Sequence, residues 1–528
     1  MSNREMKKMM SGAVLLTAAS FIAKLLSAVY RVPFQNMVGN TGFYAYQQVY
    51  PLYGLGMTLA LNGLPIFLSK VVAESSSSLD QKVTIKKMHH LLSLLAIVLF
   101  LFLYAGSGFI GEWMGDRALQ KVIQAVSWQF LLIPFLAVSR GYFQGNFQMT
   151  PTAVSQVIEQ VVRVTVILIA AYSFSLVSGD IYQMAASAMS SAWIAAVAAS
   201  LVMGIYLFFY RKKQKIQPAA TIVEKKTEPS YRDLVRRLGT EGLTICLLSA
   251  MLILFQLIDS FTLYKGLVES GTYAAKAKDL KGIYDRGQPL VQLGMVAATA
   301  FSSSLLPMLT AAVVQKKAHD FYRYAASFLR ITATVAAAAT TGMIVLLPYL
   351  NHTLFGDKAG DLALSIYMLA IFLASLIGAV NAILQSQDDH RVAFVGLLLG
   401  LIGKLFINPP LVVLFGINGS SLGTVFGLLL SLVFIWFKLD QPIRQVWRKK
   451  QFGLKLGVSC FIMSIGVWGT TRVLAGIGIA ESREGSFALA LAGVGIGMGL
   501  FVKWIIHIKL LTLREWLSLP LGKRLLRK

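Results

Sequence analysis

Long apolar segments separated by short polar loops recur along the whole chain. A bilayer core about 30 Å thick takes about 20 helical residues to cross, and on that scale the pattern predicts about 14 transmembrane helices. We place them at residues 10–33, 43–72, 89–111, 121–146, 152–177, 182–210, 238–265, 286–314, 322–350, 361–386, 391–415, 419–439, 452–476 and 487–508. The pattern therefore predicts an all-α integral membrane protein with both chain ends on one side.

Two stretches about half a chain length apart repeat the same residues. YQQVYPLYGLGM at residues 46–57 returns as YDRGQPLVQLGM at residues 284–295, and GDRA at 115–118 returns as GDKA at 356–359. The shared proline and glycine positions would bend or thin corresponding helices in each copy. Matched breaks inside apolar segments are typical of transporters built from two related halves, with the binding site near the breaks.

The repeat predicts two pseudo-symmetric lobes of six helices each. We assign an N-lobe at 1–210, a basic cytoplasmic linker at 211–237, a C-lobe at 238–439, two C-terminal spans within 440–508, and a basic amphipathic cytoplasmic tail at 509–528. The linker is rich in charge, Gln, Pro and Thr, as expected of a solvated connection. The tail mixes Leu and Trp with basic residues, which favours a helix in the headgroup region of the membrane.

Composition agrees with a membrane protein and excludes several other classes. The 528 residues are 56% hydrophobic and 14% charged, and a soluble domain of that size could not bury so much apolar surface. The two cysteines have no partner at a disulfide or metal spacing. Neither an HExxH motif nor a phosphate-binding loop motif occurs, so an enzyme, a metal site and a cofactor are not expected.

The net charge of +25 is distributed over the loops. Nucleic-acid binding would need the basic residues gathered on one soluble face with aromatic residues between them, so no nucleic-acid partner is expected. Most basic residues fall in loops on the side of the N-terminus, including the run RKKQK at 211–215. The positive-inside rule therefore predicts a multi-pass protein of the cytoplasmic membrane with both termini in the cytoplasm.

Several charges lie deep inside predicted spans, where each one is costly and marks a candidate site. Lys24, Arg163 and Lys404 are each about a dozen residues inside, roughly 18 to 21 Å along the helix axis. One helical stripe of the first span carries Ser20, Lys24, Ser27 and Arg31. Arg163 and Lys404 are 241 residues apart, as are the GDRA and GDKA motifs, so the halves contribute equivalent cations.

Bases outnumber acids among the deep charges, which favours an anionic cargo with phosphate oxygens. Glu159 can pair with Arg163 at i, i+4, and such a pair could equally serve only to lock helices together. Asp259 is either a counter-charge for a lysine or the site of a coupling H⁺ or Na⁺ ion. Four further charges, near span ends, either face the interior or extend to the interface: Lys70, Arg140, Lys265 and Arg286.

The chain resembles a known superfamily in several motifs. They are AASFIAKLLSAVYRVPFQNMVG at residues 18–39, LFGDKAG at 354–360 and the stretch at 381–427 that begins NAILQSQDD. These are similar to the polysaccharide-transporter branch of the multidrug/oligosaccharidyl-lipid/polysaccharide flippase superfamily, and within it to the stage V sporulation protein B group, which is akin to the MurJ-type lipid II flippases. The resemblance covers almost the whole chain.

The resemblance implies a flippase for an undecaprenyl-diphosphate-linked sugar precursor. In MurJ-type proteins cationic residues of the first, second and eighth helices line a central cavity, and Lys24, Arg31 and Arg286 fall at or near those places. The second helix differs from the family pattern, with polar residues in place of the expected arginine. The expected cavity thus has the cations Lys24, Arg31, Arg163, Arg286 and Lys404 and the polar residues Ser20, Ser27, Gln47, Gln48, Asn62 and Gln160, with Asp259 and Glu159 for counter-charge or ion coupling.

The sequence thus predicts a transporter that moves a lipid-linked anionic glycan across the membrane by alternating access of two lobes. Membrane lipids and a coupling ion are the other expected partners. A cation-coupled multidrug exporter of the same superfamily is one alternative, and it would need the acids to bind the cargo. A non-transporting scaffold for cell-wall synthesis is the other, and it would act through the linker or the tail.

Overall fold

The computed structural model describes residues 3–75, 78–177, 179–215, 230–302, 308–309, 312–313, 315–387, 389–447, 451–476 and 481–518. The described residues form helices joined by short turns, and no strand occurs among them. The helices are α1 Asn3–Val29, α2 Arg31–Gln47, α3 Tyr50–Thr58, α4 Leu64–Glu74, α5 Ser78–Ala105, α6 Ser107–Trp113, α7 Gln120–Ser127, α8 Ile133–Gly145, α9 Thr150–Val177, α10 Ile181–Lys215, α11 Tyr231–Arg237, α12 Leu243–Ser249, α13 Met251–Glu269, α14 Ala274–Asp285, α15 Gly287–Ser302, α16 Ala318–Phe355, α17 Asp361–Ser386, α18 His390–Phe415, α19 Ile417–Lys438, α20 Gln441–Arg444, α21 Phe452–Ala475, α22 Arg483–His507 and α23 Leu513–Ser518. The all-α membrane architecture is confirmed.

Within the described residues, 13 helical segments are long and apolar enough to cross a bilayer. They overlap all the predicted spans except the eighth, 286–314, part of which lies outside the described residues beyond α15. The seventh segment begins at Met251, 13 residues later than predicted. The first segment continues past the predicted end to Gln47, with a break at Gly39, where φ is 68°. Glycine adopts that backbone conformation without strain, which lets the chain turn there.

The chain divides into two compact units, Met1–Lys265 and Gly266–Lys528. The predicted lobe boundaries stay a prediction, and residues 216–229 of the predicted linker lie outside the described residues. In the second unit, the described part of the predicted tail packs on α16, where the Arg330 guanidinium lies 3.5 Å from the Glu515 carboxylate and Trp516 is buried.

The second span of the first unit is interrupted at its centre. Helix α3 is followed by a π-helical turn, Leu59–Gly63, and then by α4. Pro51 and Pro65 each lie in the first turn of a helix, where a missing N–H breaks no hydrogen bond. The π turn widens the helix by one residue per turn and frees backbone carbonyls for other partners. The predicted break in this span is therefore a π turn between two proline-started helices.

Gly63 brings this π turn against α12. A Cβ atom at Gly63 would lie 2.5 Å from the Cys246 sulfur and 2.8 Å from its Cα. We expect Gly63→Ala to push the two helices apart and to lower the free energy of unfolding by about 1–3 kcal/mol. Thermal unfolding of the purified protein in detergent measures this. Gly204→Ala in α10 is the matched control, because nothing lies within 4 Å of its Cβ position. Equal melting temperatures for the two variants would contradict the expectation.

Candidate functional site

Three arginines are completely buried in the described part of the first unit, and two of them, Arg31 and Arg163, have no carboxylate partner there. Arg31 begins α2 directly after α1, and Arg163 lies in the middle of α9. Both side chains are 0% exposed. Because burying a charge is costly, a buried arginine normally has a carboxylate partner. Neither guanidinium forms an ion pair with any residue in the described part of the chain.

Tyrosine rings surround both guanidinium groups. The Arg163 guanidinium carbon lies 4.1 Å from the ring centre of Tyr53, and that of Arg31 lies 4.4 Å from the ring centre of Tyr50. Tyr30 lies within 6 Å of both, at 5.9 Å from Arg31 and 5.3 Å from Arg163. Cation–π attraction is worth about 2 kcal/mol or more when desolvated, so the rings offset part of the cost of burial. We call these five residues the Arg31–Arg163 cluster.

The two arginines differ in how their donors are used. Arg163 donates to the Tyr30 hydroxyl at 3.0 Å and to the Gln160 side-chain oxygen at 3.1 Å. All three guanidinium nitrogens of Arg31 are buried and have no hydrogen-bond partner among the described residues. A planar guanidinium carries five N–H donors, which match phosphate or carboxylate oxygens. The Arg31–Arg163 cluster therefore has the charge and the free donors to bind an anion.

Glu159 does not pair with Arg163, so that sequence-based expectation was wrong. Its carboxylate accepts a hydrogen bond from Arg140 at 2.7 Å, and both side chains are buried. Arg140 also donates to the Ser155 hydroxyl at 3.2 Å and to the Ala60 carbonyl in the π turn at 3.0 Å. A side chain so placed cannot extend to the interface, and Arg140 is instead a buried cross-link between α8, α9 and the π turn.

The predicted stripe of the first span leads to the cluster. Ser20 donates to Gln156 at 3.2 Å, which ties α1 to α9. Ser27 is buried beside Tyr50. Lys24 lies between these two serines and is exposed. The stripe thus runs from an exposed cation to the buried Arg31.

The other predicted polar residues of the first unit do not belong to the Arg31–Arg163 cluster. Gln47 and Gln48 are fully buried, and Gln48 donates to the Ser260 carbonyl of α13 at 2.6 Å. Asp259, adjacent in sequence, is buried. Asn62 is exposed in the π turn. The structure brings Ser27, Gln160, Arg31 and Arg163 together and leaves Asn62 at the surface.

In the second unit, Lys404 is fully buried in α18. Its ammonium donates to the Thr424 hydroxyl at 2.8 Å, and that hydroxyl lies 3.4 Å from the Tyr284 hydroxyl. In the first unit, the Tyr30 hydroxyl bonded to Arg163 lies 3.0 Å from the Tyr46 hydroxyl. Each deep cation is therefore linked through one hydroxyl to the tyrosine that opens its copy of the repeat.

Arg286 has a carboxylate partner. It forms a two-point ion pair with Asp357 of the GDKA motif, at 2.6 and 2.9 Å. Burial by itself would raise the pKa of Asp357, but the Arg286 guanidinium and the Ala359 amide hold that pKa below its ordinary value. The pair is therefore intact at neutral pH and is lost as the pH falls through the lowered pKa. In the first unit, Asp116 of the GDRA motif accepts from Tyr44 and Tyr182 instead.

Sequence reasoning named the cations but missed the rings around them. Tyr46, Tyr50 and Tyr53 are spaced i, i+4 and i+7, which places them on one side of a helical segment. That spacing lies inside the first copy of the repeat and could have indicated an aromatic wall. Nothing in the sequence indicated that it faces Arg31 and Arg163.

Among the described residues, no group of three His, Cys, Asp or Glu side chains could hold a metal ion. The cysteines Cys246 and Cys460 are not bonded to each other. What the site offers is fixed positive charge, aromatic surface and unpaired donors.

Comparisons with known proteins give the family. The family model described as polysaccharide biosynthesis protein matches residues 9–313. The chain is 35% identical to the membrane protein YabM of Bacillus subtilis (strain 168), over 97% of this chain and 95% of that protein. From the same organism, it is 28% identical to lipid II flippase MurJ over 81% of each chain, and 25% identical to stage V sporulation protein B over 80% of this chain and 81% of that protein.

A solved structure has the same fold. The inward closed conformation of lipid II flippase MurJ aligns with a TM-score of 0.68, at 15% sequence identity, covering 94% of this chain and 99% of the other. At that identity the likeness concerns the fold alone.

Proposed function

Because this chain belongs to the polysaccharide biosynthesis protein family of multi-pass membrane proteins, we propose that it moves an undecaprenyl-diphosphate-linked oligosaccharide across the cytoplasmic membrane. It is a member of the flippase and transporter superfamily that includes the lipid II flippases, and a transporter rather than an enzyme. The cargo and the residues that bind it are the parts that we propose.

One observation carries this proposal: the three guanidinium nitrogens of Arg31 are buried and have no hydrogen-bond partner among the described residues. A second buried cation, Arg163, shares the Tyr30 and Tyr50 rings with it. Two adjacent positive charges with unused donors favour a ligand that has several anionic oxygens, as a diphosphate has. A cationic drug would be repelled there. The deep carboxylate nearest in sequence to this site, Glu159, is already paired with Arg140.

Each unit has its own proposed diphosphate contacts, Lys24, Arg31 and Arg163 in the first unit and Arg286 and Lys404 in the second. The sugars would occupy an aqueous cavity, and the prenyl chain would stay in lipid. For Arg286 to take part, its ion pair with Asp357 would have to open or share the ligand. The two lobes would alternate access between the two sides of the membrane.

Energy for transport would come from an ion gradient or from the membrane potential. One elementary charge moved through 100 mV is worth about 2.3 kcal/mol. Asp259 is our candidate for binding a coupling H⁺ or Na⁺ ion, because it is buried within α13. The termini are proposed to be cytoplasmic, from the distribution of basic residues.

Flipping in proteoliposomes tests this proposal. A fluorescent undecaprenyl-diphosphate oligosaccharide is incorporated, and the fraction that a membrane-impermeant quencher reaches is followed over time. We expect exchange between the leaflets well above that of empty vesicles. A fluorescent cationic drug in parallel vesicles measures export by the alternative mechanism. Drug movement without lipid movement would refute the proposal in favour of an exporter, and movement of neither cargo would refute it in favour of a scaffold.

A further inference from the structure

A cavity of about 290 Å³ lies in the side of the first unit, with walls distinct from those of the Arg31–Arg163 cluster. Its walls come from the first residue of the π turn and from α4, α5, α8, α11 and α12, and include Leu59, Leu64, Leu95, Ala96, Val235 and Leu243. Three of these are about half exposed, Leu95 at 45%, Val235 at 52% and Leu243 at 48%. The cavity, which we call the side pocket, is therefore open to the exterior of the unit.

The lining of the side pocket decides what can fill it. Its residues are apolar except for the glycines and Cys246. An apolar cavity of this kind binds water poorly but takes up apolar molecules, and its volume holds about ten water-sized groups. Between membrane-spanning helices, the apolar molecules at hand are lipid chains. Part of one acyl chain has the required size and chemistry.

Basic residues lie at one end of the side pocket. On α11 the exposed Arg232 and Arg236 share a helical stripe with the pocket residue Val235, at i, i+3 and i+4. From α5, the Lys87 ammonium lies 5.6 Å from the ring centre of Tyr231, so it faces α11. Lys87 and Arg232 thus both precede the pocket residues on their own helices, and Arg236 follows the pocket residue Val235 directly.

The distance between the cations and the pocket fits a single leaflet. Lys87 precedes the pocket residue Ala96 by nine positions of α5, which is about 14 Å of helix. Half of a bilayer core about 30 Å thick is about 15 Å. A lipid with its phosphate beside Lys87 could therefore reach the side pocket with one chain.

We propose that the side pocket binds an acyl chain of an anionic phospholipid whose phosphate contacts Lys87, Arg232 and Arg236. The lipid is a bound component of the first unit and not its cargo. Its chain lies against Leu59, the first residue of the π turn, and Leu64, which directly follows the turn, so occupancy supports that turn in its present shape.

Photo-crosslinking tests this site in the full-length protein in nanodiscs. Phosphatidylglycerol with a diazirine near the end of one acyl chain is the probe, and matched phosphatidylcholine and photoreactive undecaprenyl phosphate are the comparisons. Mass spectrometry then maps the crosslinked peptides. We expect phosphatidylglycerol to label residues 92–99 and 235–246 above all other spans, and to label them more than phosphatidylcholine does.

Variants that remove positive charge show whether the basic residues beside the side pocket select an anionic lipid. The double variant Arg232→Gln with Arg236→Gln should reduce this labelling by about tenfold or more, since each basic residue near anionic lipid contributes separately. Both side chains are exposed, so we expect the double variant to fold normally. Lys121→Gln, an exposed cation on α7, is the matched control.

Three outcomes would overturn the proposal. Equal labelling by phosphatidylcholine would show that the basic residues do not select an anionic headgroup. Preferential labelling by undecaprenyl phosphate would make the side pocket part of the cargo path. Labelling spread evenly over the lipid-facing spans would show that the side pocket binds no lipid. Flipping activity enters none of these readouts, so failure here and failure of the proposed function are distinguishable.

Discussion

Replacing Arg31 or Arg163 with Gln should reduce the initial rate of lipid-linked glycan flipping by about 10- to 100-fold each. A hydrogen bond to a charged group is worth about 1.5–3 kcal/mol, and a factor of ten in rate corresponds to about 1.4 kcal/mol. Gln retains polarity and most of the length of the side chain but removes the charge and the two-point donor geometry. The proteoliposome assay described above measures the rates, with Lys121→Gln as the control cation.

The melting temperatures of these variants distinguish a role of the two arginines in cargo binding from a role in stabilising the fold. An unpaired buried charge destabilises the protein that contains it, so Arg31→Gln should leave the melting temperature unchanged or raise it. Arg31→Lys keeps the charge but loses the planar fork, and we expect an intermediate rate. If the double variant Arg31→Gln with Arg163→Gln flipped the lipid-linked glycan at the wild-type rate, the Arg31–Arg163 cluster would not bind cargo. Loss of flipping together with a collapse of the fold would show that the cluster is structural.

Replacing Glu159 with Gln should destabilise the protein by about 3–5 kcal/mol, because it leaves Arg140 buried without a counter-charge. Arg140 also holds the Ala60 carbonyl of the π turn, so the loss should loosen the second span. Thermal unfolding in detergent gives the shift in melting temperature. The double variant Arg140→Met with Glu159→Gln removes both charges and should recover much of the lost stability.

This second prediction also tests the role of Glu159. Unchanged stability together with abolished transport in Glu159→Gln would contradict a structural pair and would make Glu159 a transport residue. Failure of the double variant to recover stability would show that hydrogen bonds from Arg140 to Ser155 and Ala60 matter more than the ion pair.

The spans could be predicted closely because bilayer thickness fixes their length and the cost of unpaired backbone groups in lipid fixes their helical form. Thirteen segments of the described residues agree with this prediction. The interior of the second span was less accessible to sequence reasoning. Its prolines and glycines predicted an interruption, but the π turn at Leu59–Gly63 depends on partners from other helices, such as Arg140.

The sequence also located the deep cations, since a charge far inside an apolar segment is conspicuous. Arg163 and Lys404 are completely buried, as depth within their spans indicated. Lys24, equally deep in its predicted span, is exposed, and the completely buried cation of that stripe is Arg31. The spacing of 241 residues predicted that Arg163 and Lys404 are equivalent. Both are linked through a hydroxyl to the first tyrosine of their repeat, which is consistent with that prediction.

By itself, then, the sequence determined that the chain is a helical membrane protein with buried positive charge, because membrane insertion depends on local hydrophobicity and local charge. Its two related halves stay a prediction. Only the tertiary structure decided which of the buried charges are paired within the protein and which can bind a ligand. Glu159 pairs with Arg140, 19 residues earlier, and not with Arg163 on its own helix, because α8 brings a second guanidinium to its other side. Arg31 meets tyrosine rings where a carboxylate could have been. Such pairings depend on how whole helices pack against one another, and spacing along one helix does not contain that information.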